Sequence, residues 1–206
     1  STRLAATARL AFNHCIHGRK EIGKQIYSTL PSMESCREKQ IWWSLDKEEQ
    51  LPFLQKSILQ SYEMLRSFIW LLADADVVSV EIELEAINKV FELEKLILED
   101  NRPKNSWGDA WLNYAMAGKY ALLNDYDNMY KYLHIAVDKA KAFDNRPDKQ
   151  TYSSVLVGEI TVSKLNFETA DTRPLCKILR DKWLQDEEFD SVRNDKEFQI
   201  ILKSLD

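Results

Sequence analysis

The chain has 206 residues, of which 45% are hydrophobic and 30% charged, an ordinary balance for a soluble globular protein with room for one substantial core. Five Gly and five Pro are too few for the turns of a many-stranded sandwich or barrel, so long helices joined by short loops are expected. A net charge of −5 with dispersed Lys and Arg argues against a broad phosphate-gripping face, and no apolar run approaches the ~20 residues of a membrane span.

The opening STRLAATARLAF has no basic region followed by a long apolar core, so no secretory signal is expected. Ser1 in place of an initiator Met points to a trimmed or processed chain. Cys15, Cys36 and Cys176 are odd in number and lack paired spacing, which suits a reducing cytosol. Leu51, Leu54, Ile58, Tyr62, Leu65, Ile69 and Leu72 recur three or four apart, predicting one apolar stripe over about five helical turns. Pro52 is tolerated if it lies in the first turn. Asp74-Ala75-Asp76 breaks the pattern.

VVSVEIELE at 77–85 alternates like a strand, but no partner strand is evident and Ile87, Val90, Phe91 and Leu98 continue with helical spacing. A helix over 79–99 is therefore expected. NRPKNS at 101–106 reads as a linker ending in Ser106 as a helix cap, and DNRPDK at 144–149 as a second linker. TYSSVLVGEITVSKL is rich in β-branched residues, yet no hairpin partner follows it. Helices over about 172–185 and 195–205 close the chain.

Residues 107–143 fit the spacing of a tetratricopeptide repeat. Met116-Ala117, Tyr120, Met129, Leu133 and Ala136 fill its positions, and Asn124-Asp125-Tyr126 makes the turn. Small side chains at Ala117 and Ala136 let two backbones approach, while Tyr120 and Leu133 fill the space between. The usual tryptophan position holds Asn113, with Trp111 displaced by two. Leu10-Ala11, His14, a turn at Gly18, Gly23 and Tyr27 form a fainter copy. The middle of the chain fits poorly, so the array is degenerate.

Three stretches carry a more specific likeness: YSTLPSMESCREKQIWWSLDKEEQLPFLQKSI at 27–58, LLNDYDNMYKYLHIAVDKAKAFDNRPDKQTYSSVLVG at 122–158 and FDSVRNDKEFQIIL at 189–202. Together they resemble the tetratricopeptide-like C-terminal domain of Cro/repressor-type (XRE-like) helix-turn-helix regulators of Gram-positive bacteria. The resemblance implies a cytoplasmic regulatory and dimerisation domain that reaches DNA only through a headpiece absent from this chain.

Chemistry is sparse. NHCIHG at 13–18 places His14 and His17 on one helical face, but zinc needs three or four ligands and only His134 remains elsewhere. Because His14 also occupies the aromatic position of the repeat, packing is the stronger reading, and no metal or cofactor is expected. No nucleophile motif, Walker loop or dinucleotide loop occurs, so the chain is read as non-enzymatic. Glu81/Glu85 and Asp186-Glu187-Glu188 read as solvated helix faces. Trp42 and Trp43 point to different sides of a helix, either as a dimer or partner surface or as residues partly covered by a neighbouring loop. Phe189, Val192, Arg193, Phe198 and Ile201 are expected to cap the end of the array.

The inner surface of such an array comes from first helices, which here means Phe12, Cys15, Trp111, Tyr114 and Gly118. Without the Lys, Asn and Arg of a carboxylate clamp, that groove suits an apolar peptide or helix. The expected fold is all-α: a right-handed superhelical stack of antiparallel, tetratricopeptide-like hairpins forming one domain over 1–206. It comprises degenerate hairpins over 1–100, the best repeat over 106–143 and capping helices over 150–206. The expected function is effector sensing, of a peptide or small molecule, by a homodimer. The alternative is a stand-alone scaffold for a protein partner.

Overall fold

The computed structural model describes residues 2–30, 45–73, 78–98, 107–164 and 171–205. Trp42, Trp43, Cys36 and the breaks expected at 74–76 and 101–106 lie outside them. The described residues are mostly helical, and no helix among them is long and apolar enough to cross a membrane. The chain divides into two compact units, residues 1–51 and 52–206.

In the first unit, α1 (Thr2–Ile16) and α2 (Lys20–Tyr27) form a helical hairpin. Ala11 is fully buried in it, and Cys15 lies against Gly23 of α2. The His14 ring nitrogen accepts from Arg19 Nε at 2.9 Å, and His17 Nδ1 lies 2.8 Å from the Asn13 carbonyl. A third helix, α3 (Lys47–Ala73), contains the division between the units. The Asp46 N–H donates to the Glu49 carboxylate at 3.1 Å, one half of a capping box. That cap starts the helix early, so Pro52 is its sixth residue and not part of the first turn. The missing N–H leaves the Glu48 carbonyl without its usual donor.

In the second unit the α3 stripe is only partly covered. Tyr62 is buried, but Leu54, Leu65 and Leu72 are exposed, as are Phe68 at 54% and Leu71 at 63%. In α4 (Val80–Leu98) the helical period prevails over the alternation, burying Leu84, Ile87, Val90 and Leu98. Glu83 is buried on the same helix.

Next come α5 (Trp107–Leu122) and α6 (Tyr126–Asn145), two helices packed along their length. Asn124 takes a left-handed conformation, φ 56°, to end α5, a position where Asn substitutes for Gly. Asp125 then caps α6, its carboxylate accepting from the Asn128 N–H at 3.2 Å. Ala117, Ala136, Met116, Met129 and Leu133 are all fully buried, so the helices meet through small residues with large ones beside them. Tyr120 and Tyr132 stack at 5.4 Å.

The stretch after 148 departs from the expected helices. β1 (Lys149–Ser154) pairs antiparallel with β2 (Gly158–Ser163), in register from Lys149 opposite Ser163 to Ser154 opposite Gly158. The partner strand that was not expected lies within the same stretch, across the turn Val155-Leu156-Val157. Gly158 follows this turn at φ 70°, a conformation that favours glycine. Val157, Leu156 and Ile160 pack with Tyr62 and Leu98, so the hairpin covers α3 and α4.

α7 (Leu175–Asp181) is shorter than the expected 172–185 helix. It gives way to two 3₁₀ turns, Trp183–Gln185 and Glu187–Val192, before α8 (Lys196–Lys203). The tighter winding brings Trp183, Leu184, Phe189 and Val192 all into the core. Phe189 and Phe198 stack at 5.9 Å, closing the end of the α5–α6 pair.

Candidate functional site

A cleft of about 550 Å³ opens in the second unit between α3, α4, α5 and the 3₁₀ turns, within the size range of small-ligand pockets. Trp70 and Ala73 come from α3, Ile87 from α4, and Trp111, Tyr114, Ala115 and Lys119 from α5. Gln185, Asp186, Glu187 and Glu188 form the opposite lip. Trp111, Tyr114, Ala115 and Lys119 recur three or four apart or adjoin on α5, so one helix face supplies most of one wall.

The floor is aromatic. Trp70 meets Trp111 edge-on, with ring centroids 6.2 Å apart and planes at 72°. Trp111 rests in turn on Trp183 at 4.9 Å and lies 5.2 Å from Tyr114. Trp107 stacks on Trp111 at 6.0 Å. With neighbours on several sides, Trp111 holds one orientation.

The lip is acidic. The Tyr114 hydroxyl donates to Asp186 Oδ2, and burial together with that carboxylate keeps the phenol protonated far above its usual range. Burial also pushes the Glu188 carboxyl above the ordinary carboxylate value. Asp186, Glu187 and Glu83 add to this rise, and Lys119 opposes it. Gly118 makes the approach of Glu188 possible: a Cβ there would lie 2.3 Å from Glu188 Oε2. Lys119 is the one cation among the described lining residues, and its Nζ already pairs with the buried Glu83 carboxylate at 2.8 Å.

Arg193 fixes the lip from behind. Its Nη1 donates to the Leu184 carbonyl at 3.1 Å, and Nη2 donates to the carbonyls of Gln185 at 2.5 Å and Asp186 at 2.9 Å. Nε donates to the Asp190 carboxylate at 2.6 Å. The Arg193 carbonyl accepts from Gln199 Nε2 at 2.6 Å, tying the turn to α8.

Three of the residues expected on an inner surface therefore come together: Trp111 and Tyr114 line the cleft, and Gly118 backs Glu188. Phe12, 53% exposed, and Cys15, half-buried, belong to the α1–α2 hairpin of the other unit. Of the acids at 186–188, expected on a solvated helix face, Asp186 and Glu187 are exposed and Glu188 is half-buried; they lie in and beside a 3₁₀ turn at the cleft. Sequence spacing gives no link between that lip and α5. The nearest signal is Gly118, a glycine inside a helix where alanine is otherwise favoured.

No family model, curated protein or solved structure matches the chain, so no relative supplies a ligand for this cleft.

Proposed function

We propose that this chain is the effector-sensing and dimerisation domain of a bacterial helix-turn-helix regulator, non-enzymatic and cytoplasmic, reaching DNA through a headpiece outside these residues. The α1–α2 and α5–α6 hairpins support a tetratricopeptide-like, right-handed stack as its framework. One observation carries the sensing role: a ligand-sized cleft whose wall is the face of α5 that a repeat would turn inward. Native mass spectrometry of the protein isolated from its own cytosol tests this directly. A homodimer carrying a bound peptide or small molecule is expected, and a bare monomer refutes the reading.

A scaffold role is the second reading, favoured by the exposed apolar residues Leu65, Phe68 and Leu71 on α3. A surface of this kind serves protein contacts more often than small ligands. In that case a stoichiometric protein partner is released by Leu65→Glu and Phe68→Glu, whereas cleft substitutions leave it bound.

A further inference from the structure

We propose that the cleft between α3, α5 and the 183–192 turns selects an organic cation, an ammonium or guanidinium group on a short apolar stem. The inference rests on the reading of this cleft as an effector site and names the chemistry that the site accepts.

Charge sets the sign. Lys119, the one cation among the described lining residues, is paired with Glu83 at 2.8 Å, so it is shared between that carboxylate and the field of Asp186, Glu187 and Glu188, and the acids outnumber it. An anionic ligand meets repulsion there and has no free donor of positive charge. A neutral apolar ligand takes water from the half-buried Glu188 carboxylate and gives it no partner in return. A cation relieves their mutual repulsion and replaces water around the half-buried Glu188 carboxylate.

Shape agrees with charge. Trp70 and Trp111 line one corner of the cleft and meet at 72°, and aromatic rings attract cations within about 6 Å. Tyr114, buried and locked to Asp186, orients the first carboxylate of the lip. Ala115 and Ile87 line the same cleft and add apolar surface for an aliphatic stem. An ordinary solvated acidic surface has neither the aromatic corner nor a glycine cut away to admit a carboxylate.

Indole fluorescence and calorimetry at low salt provide the test, on the full chain. The probes are agmatine, an end-blocked Ala-Ala-Arg-Ala-Ala peptide and the same peptide with neutral citrulline replacing Arg. The expected result is binding of agmatine, of the Arg peptide or of both, at least tenfold tighter than the citrulline peptide. Agmatine binding identifies a free small cation, whereas binding of the Arg peptide alone identifies a side chain presented by a peptide. Glu188→Gln lowers that affinity at least tenfold. Gly118→Ala does the same by driving Glu188 aside, while its melting temperature holds or rises because alanine is the better helix residue. Binding of agmatine and of the Arg peptide that is in neither case tighter than that of the citrulline peptide, or unchanged affinity in Glu188→Gln, overturns the inference. A neutral or anionic ligand found on the native protein overturns it too, yet leaves the sensing role standing. A bare native protein that binds none of the probes overturns both.

Discussion

Arg193 serves three backbone carbonyls and one carboxylate with a single guanidinium, and that geometry depends on a planar fork. Lysine keeps the charge but is a point donor on a flexible stem. Arg193→Lys is therefore expected to cost about 2–3 kcal/mol, the loss of several charge-assisted bonds, read as a lower urea midpoint. Cleft affinity falls with it, because the carbonyls of 184–186 lose their common anchor. Glu188 makes the opposite contribution. Its folded carboxyl value is raised by burial, so the folded state holds its proton more readily than the unfolded state does. Ionised Glu188 therefore opposes folding at pH 7, and the opposition fades as pH falls through the raised value toward the ordinary 4.5. Glu188→Gln should raise the urea midpoint at pH 7, with the gain shrinking on acidification and gone below the ordinary value. A midpoint difference independent of pH refutes this account.

Among the elements, helices with an apolar period of three to four residues were legible, including α4, where alternation suggested a strand. The β-hairpin was not legible, for a physical reason. Its turn is Val155-Leu156-Val157, three apolar residues where a hairpin signal needs Asn, Asp or Gly, and Gly158 alone marks the reversal. α7 was legible at its start but not at its stop, since nothing local forces a change to 3₁₀ winding before Trp183. Its cap was hidden as well: Pro174 supplies no side-chain cap. The Asp144 carboxylate, from the end of α6, accepts from the Leu175 and Cys176 N–H groups at 2.7 and 2.9 Å. Asp144→Ala should cost about 1–2 kcal/mol, as loss of an N-cap does. A second readout is the Cys176 thiol, pushed up to about 12 by burial and then by Asp144. It should alkylate far more slowly at pH 8 than free cysteine, and faster once Asp144 is replaced, as site-resolved peptide mass mapping would show.

At the scale of the whole molecule, the repeat spacing pointed to Trp111, Tyr114 and Gly118, because one helix carries all three. It gave no hint of Glu188, which reaches them only through tertiary folding and only because Gly118 has no side chain. The proposed dimer belongs to this scale too, and Trp42→Ala with Trp43→Ala tests the place of that pair in it: the expected light-scattering result is a shift from dimer to monomer. An unchanged mass removes that pair from the subunit surface. One consequence of the Arg193 latch extends beyond a single sequence. Arg193 holds residues 184–186 through backbone oxygens, which every amino acid possesses, so the side chains at 187 and 188 take no part in that latch. Replacements at those two positions change the charge of the cleft while the latch persists, so the lining varies separately from the frame that carries it.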